Sequence, residues 1–282
     1  MNLDEKIISA LKDLDYKEAT EIQKKAIPIA LKKRDILAAA QSGTGKTAAF
    51  LLPILTELIA NKQPNKPVLR TLILVPTREL ASQISKAAED LGKYLDVQKL
   101  AVFGGVSTKE QEKKIAKGLD ILVATSGRLM EHLKNGTVDL SSVTTVVIDE
   151  VDTMLDMGFL EDIEKILPSV GPKRQIMMFS ATMNQNVKKL AKEFLKDPVV
   201  IEVAQQRSAV KIIDQQIVLV DEANKAAALS YIIGSNNYSQ VLVFVNMKIE
   251  ADTLVEHLEL DGLTAGCIHG DVRQTARAKI MR

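Results

Sequence analysis

Short apolar runs alternate with longer amphipathic stretches along the chain, a pattern typical of parallel strands joined by helices. Runs that are apolar throughout, such as Thr145–Ile148, indicate strands buried on both faces. Seven strands predict a complete doubly wound α/β domain over residues 1–204. The predicted strands are 35–39, 71–75, 99–103, 120–125, 145–149, 175–180 and 199–203, and the predicted helices include 48–60, 78–93, 108–117 and 185–195.

A polar stretch then interrupts this alternation and predicts a linker over residues 205–212. A second domain is predicted over 213–282, with strands at 216–220, 240–245 and 264–268 and helices at 224–233, at 251–260 and from near Val272. Three strands are few for an open α/β sheet, so we expect this domain to be incomplete. An unpaired sheet edge there would favour self-association.

Composition and charge exclude some classes of protein and leave others open. The 282 residues are 46% hydrophobic, and 37 basic against 36 acidic residues give a net charge of +1, which neither requires nor excludes a nucleic-acid partner. No apolar run approaches the roughly 18 residues that span a bilayer, and residues 1–6 lack a secretion signal. These features predict a cytoplasmic protein with no membrane partner. Cys267 is the single cysteine, and we expect it to be buried as a small hydrophobic residue. A single cysteine also predicts no intrachain disulfide framework and no thiol-based metal site.

A glycine-rich segment directly after the first predicted strand carries the strongest chemical signal. Residues 40–47 read Ala-Gln-Ser-Gly-Thr-Gly-Lys-Thr, which is the spacing of a phosphate-binding loop that opens a helix. Lys46 is expected to reach the β- and γ-phosphates of ATP and Thr47 to help hold Mg²⁺. The alternative is a glycine-rich turn before an ordinary helix. The predicted nucleotide-binding residues of this loop are Ser42, Gly43, Thr44, Gly45, Lys46 and Thr47.

Two carboxylates follow the buried strand 145–149. Because ligands of open α/β sheets bind outside the carboxyl ends of the strands, we expect Asp149 and Glu150 to lie beside the phosphate loop. Asp149 is assigned to Mg²⁺, and Glu150 is assigned to the attacking water. The alternative is a pair of solvated acids at the end of a strand.

Hydroxyl groups follow another predicted strand. Ser180 and Thr182 are placed to bond a carboxylate such as Asp152 and to report the state of the γ-phosphate. The alternative is a turn with a helix N-cap at Thr182 or Asn184.

Three further loops, 76–80, 104–105 and 125–128, each follow a predicted strand. Their backbone N–H groups, hydroxyls and arginines are suited to holding nucleic-acid phosphates by shape and charge. Aromatic residues make up only 4% of the chain, so base stacking is expected to be minor. For each loop the alternative is an ordinary helix-capping turn.

Taken together, these motifs resemble the DEAD-box RNA helicases. The matching segments are 16–23, 40–47, 76–80, 104–105, 125–128, 149–152 and 180–182 in the first domain, and 241–245, 269–271 and 274–277 in the second. The resemblance implies two RecA-like domains, of the P-loop class, that close on ATP and on single-stranded or duplex RNA. It also implies that unwinding is local, with little sequence specificity.

The resemblance assigns roles to individual residues. Gln23 would read adenine, Lys46, Thr47, Asp149 and Glu150 would form the hydrolytic core, and Asp152 would couple to Ser180 and Thr182. The RNA backbone would be contacted by Thr77, Arg78, Gly105, Thr125 and Arg128.

The chain departs from the family pattern in several places. Val151 stands where the family has Ala, Ser126 and Ala19 stand where it has Pro, and the position near Lys6 lacks an aromatic residue. The sequence reaches Arg282 before the family's Ala-Arg-Gly-x-Asp and His-Arg-x-Gly-Arg motifs. The second motif supplies arginine fingers worth roughly 10³–10⁵ in rate.

The sequence therefore predicts an ATP-dependent RNA helicase, or RNA-stimulated ATPase, truncated within its second RecA-like domain. It is expected to bind ATP and to hydrolyse it poorly. One alternative is a nucleotide-gated, non-catalytic protein that binds RNA or a partner. Another is a helicase that acts on DNA.

Overall fold

The computed structural model describes residues 3–41, 43–61, 67–203 and 214–281. The chain forms two compact units, residues 1–206 and 207–282, and each is considered by itself. The predicted linker, 205–212, and the predicted loop residue Ser42 lie outside the described residues.

The first unit alternates strands and helices. Its strands are β1 (Ile36–Ala39), β2 (Thr71–Val75), β3 (Lys99–Val102), β4 (Ile121–Thr125), β5 (Thr145–Ile148), β6 (Gln175–Ser180) and β7 (Val199–Glu202). Its helices are α1 (Glu5–Asp13), α2 (Glu21–Leu31), α3 (Lys46–Ala60), α4 (Arg78–Leu91), α5 (Thr108–Ile115), α6 (Ser126–Lys134), α7 (Val151–Asp156), α8 (Leu160–Ile166) and α9 (Gln185–Phe194).

All seven strands are parallel and pair in the order β3-β4-β2-β5-β6-β1-β7. The predicted α/β fold with a doubly wound parallel sheet is confirmed. Each strand predicted in the first unit lies within one residue of an observed strand at both ends. Helices α1, α2, α6, α7 and α8 were not among the helices named from the sequence.

The core lies on both faces of this sheet because alternate strand residues point to opposite sides. In β2, Ile73 and Val75 pack with α1 to α4, while Leu72 and Leu74 pack with α6 to α9 on the other face. On the first face, the ring centroids of Phe50 and Phe179 are 5.4 Å apart, which ties α3 to β6. Continuous apolar runs therefore reflect burial on both sides.

A buried carboxylate fixes the start of three neighbouring strands, β6, β1 and β7. Asp35, 6% exposed, precedes β1 and accepts backbone N–H bonds from Ile176 at 2.8 Å and from Lys196 at 2.7 Å. These bonds join the amino ends of β1 and β6 to the turn before β7. The opposite, carboxyl edge of the same strands is thereby held in register.

The second unit contains helices α10 (Lys225–Ser235), α11 (Lys248–Leu260) and α12 (Gln274–Ile280). The strands predicted at 216–220, 240–245 and 264–268 are wrong, because residues 214–281 contain no strand. An apolar run becomes a strand only when a neighbouring strand pairs with its backbone. In these runs Ile217, Leu219 and Phe244 are 91%, 93% and 86% exposed. Within the part of the chain that the structure describes, no helix is long and apolar enough to span a membrane.

Candidate nucleotide and RNA site

The order of the strands divides the carboxyl edge of the sheet into two neighbouring regions. The phosphate loop follows β1, the acidic segment follows β5 and the hydroxyl segment follows β6, and these three strands are adjacent in the order β5-β6-β1. The three arginine- or glycine-bearing loops follow β2, β3 and β4, which are adjacent in the order β3-β4-β2. The two groups of predicted residues therefore share one edge.

The phosphate loop is shaped by two glycines with left-handed backbone. Gly43 has φ 81° and Gly45 has φ 91°, and Gly45 is the N-cap of α3, so helical residues begin at Lys46. Such angles are strained for residues with a Cβ. The Thr44 hydroxyl donates to the Gln41 carbonyl at 2.7 Å and closes the turn. The free N–H groups of the first turn of α3 point out of the helix, where an anion binds favourably.

Lys46 brings a buried positive charge to this loop. The residue is 7% exposed, and its ammonium has no hydrogen-bond partner among the described residues. Asp149 Oδ1 lies 3.8 Å away, beyond hydrogen-bond distance, at the end of β5. A buried ammonium without acceptors is costly unless an anion binds to it. The arrangement therefore fits the phosphate groups of a nucleotide.

Asp149 and Glu150 differ in environment although they are adjacent. Asp149 is 3% exposed and accepts the Glu150 N–H at 3.0 Å. Burial raises the pKa of Asp149 to about 6, against the opposing effect of Lys46. Glu150 is half-buried and has φ 53°, a strained value for a residue with a side chain. That angle turns the chain sharply from β5 into α7.

Asp152 and Thr182 form the link that the sequence predicted between two strand ends. Asp152 Oδ2 accepts the Thr182 N–H at 2.9 Å and its hydroxyl at 3.0 Å. Burial alone would raise the pKa of Asp152, but hydrogen bonds from Thr182 outweigh it and lower the pKa, with Ser180 acting in the same direction. Ser180 Oγ is buried, and no group among the described residues meets the geometry of a hydrogen bond to it. The N-cap alternative also holds in part, because Asn184 caps α9 by accepting the Val187 N–H at 2.9 Å.

Gln23 lies against the phosphate loop. Its side-chain carbonyl accepts the Thr20 N–H at 3.0 Å, and its amide nitrogen donates to the Gly45 carbonyl at 3.1 Å. The residue is 3% exposed, so it joins the first turn of α2 to the turn that opens α3. Each end of the amide retains capacity for one further bond. The contact with adenine stays a prediction.

The loops after β2 and β3 pack on each other through Arg78. Its guanidinium lies against Gly104 and Gly105, and a Cβ at Gly105 would displace the flexible end of that arginine. Gly105 has φ 80°, a left-handed backbone conformation that favours glycine. Thr77 is the N-cap of α4, and its hydroxyl accepts the Leu80 N–H at 3.2 Å. For Thr77 the helix-capping alternative is therefore observed, and the RNA contact stays a prediction.

Arg128 is held by a buried network. Its guanidinium donates to the Val106 carbonyl and to Gln111 Oε1, both at 2.9 Å, and pairs with Glu131 at 2.9 Å. Only 10% of its side chain is exposed. Thr125, the N-cap residue of α6, lies three residues before it and is half-buried. Arg128 thus braces the loop after β3 as well as belonging to the loop after β4.

Gln111 is the centre of this network, and the sequence did not point to it. Its amide nitrogen donates to the Phe103 carbonyl at 3.2 Å, and its carbonyl faces His132 Nε2 at 3.0 Å as well as Arg128. His132 is fully buried, and burial followed by the charge of Arg128 lowers its pKa. A single glutamine on a polar helix carries no local signal. For Gln23, by contrast, the Thr20-x-x-Gln23 spacing of a capping box was available.

Comparisons with known proteins agree with this geometry. The DEAD/DEAH box helicase family model matches residues 20–190. The chain is similar to the DEAD-box ATP-dependent RNA helicase RhpA of Helicobacter pylori, at 38% identity over all of this chain and 56% of that protein. It is also similar to the DEAD-box ATP-dependent RNA helicase CshA of Geobacillus kaustophilus, at 36% identity over all of this chain and 60% of that protein.

In two further matches, this chain covers a larger share of the matched protein. The ATP-dependent RNA helicase RhlB of Pseudomonas aeruginosa is 37% identical over 99% of this chain and 72% of its own length. A crystal structure of a DEAD box protein from Methanococcus jannaschii superposes with a TM-score of 0.68 and 33% identity, covering 100% of this chain and 75% of that one. Because the family match extends over more than half of the chain and over the edge described above, the chain belongs to the DEAD/DEAH box helicase family.

Proposed function

We propose that the protein is an ATP-dependent RNA helicase that binds ATP and Mg²⁺ at the β5-β6-β1 edge and locally separates RNA strands beside it. The observation that carries this proposal is the buried ammonium of Lys46, which has no hydrogen-bond acceptor among the described residues and lies 3.8 Å from Asp149 Oδ1. The chain spans less than two thirds of RhpA and CshA, so the activity of those proteins reaches this chain only as a proposal.

Nucleotide binding in this proposal uses the first turn of α3. Its N–H groups and Lys46 hold the β- and γ-phosphates, and Thr47 and Asp149 hold Mg²⁺. Bound Mg²⁺ supplies positive charge that neutralises the phosphates. Ser42 completes the proposed loop, and Gln23 uses its remaining amide capacity to bind adenine.

Hydrolysis in this proposal depends on Glu150 and on the pair formed by Asp152 and Thr182. The left-handed backbone of Glu150, at φ 53°, turns the chain from β5 into α7. Its half-buried carboxylate would orient the water that attacks the γ-phosphate. Thr182 lies at the end of β6, one strand from the phosphate loop, and its bonds to Asp152 tie α7 to that strand end. A movement caused by loss of the γ-phosphate can therefore displace α7 and the end of β6 together. Ser180, the last residue of β6, would move with them.

RNA binding in this proposal uses the β3-β4-β2 region of the edge. Thr77, Arg78, Gly105, Thr125 and Arg128 offer hydroxyls, guanidinium groups and loop N–H groups, which suit a phosphate backbone more than base edges. The two arginines already brace neighbouring loops, so the RNA-binding surface is held in shape before RNA arrives.

The test measures nucleotide affinity and ATP turnover, with and without RNA, for this chain, for Glu150→Gln and for the control Glu161→Gln on the exposed face of α8. We expect Mg²⁺-dependent ATP binding in all three proteins, and RNA-stimulated turnover that Glu150→Gln lowers by about 10²-fold or more. Equal turnover in Glu150→Gln and the parent would refute the role of Glu150. Absence of ATP binding in the parent would refute the whole proposal.

The alternatives predict different results in the same experiment. Nucleotide-dependent RNA binding without turnover above that of Glu150→Gln would favour the non-catalytic, nucleotide-gated protein. Competition of labelled RNA by DNA at one salt concentration tests the DNA-directed helicase, which predicts equal affinities. The slow hydrolysis expected from the sequence is measured against a chain extended by the two arginine motifs, and we expect a deficit of about 10²-fold or more.

A further inference from the structure

Three side chains with metal-binding atoms meet in the second unit, which contains none of the predicted nucleotide- or RNA-binding residues. Asp252 lies on α11, and Cys267 and His269 lie in the segment that precedes α12. The candidate ligand atoms of the three residues all lie within 4.8 Å of one another. Asp252 Oδ1 is 3.1 Å from Cys267 Sγ and 3.1 Å from His269 Nε2.

We propose that Asp252, Cys267 and His269 bind a zinc ion. Sulfur, imidazole nitrogen and carboxylate oxygen are the three ligand types that proteins use for Zn²⁺, whereas Mg²⁺ and Ca²⁺ prefer oxygen alone. The charges also balance, because one carboxylate and one thiolate neutralise a divalent ion and the imidazole binds as the neutral ring.

The distances between the donors agree with a tetrahedral ion. Bond lengths of about 2.0 Å to nitrogen and oxygen and about 2.3 Å to sulfur place neighbouring ligand atoms roughly 3.3–3.6 Å apart. The two separations from Asp252 Oδ1, 3.1 Å each, need to open by only a few tenths of an ångström. The third pair, Cys267 Sγ and His269 Nε2, lies within 4.8 Å.

The arrangement of the chain supports a pre-formed site. Cys267 and His269 are two residues apart, and both side chains reach the same atom, Asp252 Oδ1. Asp252 comes from the second turn of α11 and is half exposed, which leaves a path for the ion. Two basic side chains of the region have other partners: Lys248 pairs with Asp271 at 3.0 Å, and Arg277 donates to the His269 carbonyl at 2.9 Å.

Binding requires two proton changes. The hydrogen bond to Asp252, together with burial, raises the pKa of the Cys267 thiol, so zinc must displace that proton. His269 Nδ1 now accepts the Asp271 N–H at 3.4 Å, and with zinc on Nε2 that nitrogen carries hydrogen instead. Only one long contact is lost, since 3.4 Å exceeds the usual range for such bonds.

A single cysteine predicted no thiol-based metal site. Histidine and carboxylate ligands distant in sequence can supply the other donors, and here Asp252 precedes Cys267 by 15 residues. The fold brings the three together, and a bound ion would join α11 to the segment before α12.

The test uses the fact that Cys267 is the only cysteine in the chain. Alkylation by iodoacetamide, followed by intact mass, is timed for the full chain with and without Zn²⁺. We expect saturable protection at micromolar Zn²⁺, and we expect His269→Ala and Asp252→Asn each to weaken it by about tenfold or more. His257→Ala, on the same helix, is the matched control and should leave the protection unchanged.

A second readout identifies the ligands directly. Co²⁺ should give a thiolate charge-transfer band in the near ultraviolet that Cys267→Ser abolishes, while circular dichroism checks that each variant keeps its helices. Absence of protection, or protection that is the same in His269→Ala and Asp252→Asn as in the parent, would overturn the proposal, because the thiol would then be binding zinc alone or not at all. Loss of the cobalt band in His257→Ala would also count against these three ligands.

Discussion

Replacing Asp149 by Asn is expected to stabilise the nucleotide-free protein at neutral pH, although it removes a proposed Mg²⁺ ligand. Asp149 is 3% exposed, and burial raises its pKa from 3.8 to about 6. Above that pH the folded protein holds an ionised carboxylate where a neutral group is favoured. The difference between the two pKa values corresponds to about 3 kcal/mol at neutral pH. Asparagine keeps the acceptor for the Glu150 N–H without the charge.

The sign of the effect follows from the raised pKa. Below pH 3.8 the carboxyl is protonated in both the folded and the unfolded chain, so it costs nothing. The cost develops as the pH rises from 3.8 and is complete above about 6. The free energy of unfolding of Asp149→Asn should therefore exceed that of the parent by about 1 kcal/mol near pH 4.5 and by about 3 kcal/mol near pH 7.5.

Urea unfolding without nucleotide and with a chelator measures this difference. With a slope of about 2 kcal/mol per molar urea, the midpoint should rise by about 1.5 M near pH 7.5. Asp152→Asn is the matched control, because hydrogen bonds lower the pKa of Asp152 and so favour its ionised form. That variant should lose stability at neutral pH, and its deficit should shrink on acidification. A lower midpoint for Asp149→Asn near pH 7.5, or a shift that does not change with pH, would refute the reasoning.

Three further substitutions test contacts within the first unit. Gly45→Ala places a residue with a Cβ at φ 91°, and that Cβ would also lie too close to the Gln23 amide. Nucleotide affinity measured by calorimetry should therefore fall about tenfold or more. Unchanged affinity would contradict the close approach. Gln111→Ala removes the buried partner of Arg128, so RNA affinity measured by fluorescence anisotropy should fall about tenfold while ATP affinity stays the same. Equal losses for both ligands would instead indicate general unfolding. Asp35→Ala leaves two buried N–H groups without an acceptor and should cost about 2–5 kcal/mol in thermal denaturation, whereas a loss below about 1 kcal/mol would contradict the anchoring role.

The local chemistry of the first unit was readable from the sequence. Buried strands need continuous apolar residues, so their positions were predicted to within one residue. The phosphate loop was readable because Gly43, Gly45 and Lys46 are close in sequence and their spacing matters in itself. Asp149 and Glu150 were readable because they directly follow a strand whose end must lie at the ligand-binding edge.

The same local reasoning failed where pairing decides the structure. The apolar runs of the second unit have the composition of strands, yet residues 214–281 form none, since a strand exists only with a partner for its backbone. Cys267 was predicted to be buried like a small hydrophobe, and it is half-buried with its thiol donating to Asp252. Neither outcome depends on residues near in sequence.

Residue types and their spacing along the chain determined by themselves the strands of the first unit, the phosphate loop and the acids that follow β5. Only the tertiary structure decided which strand ends are neighbours, and hence that Lys46 faces Asp149, that Gln23 reaches Gly45, and that Gln111 holds Arg128. The physical reason is that apolar pattern and backbone propensity act over a few residues, whereas buried polar groups must find partners wherever the packed sheet brings them.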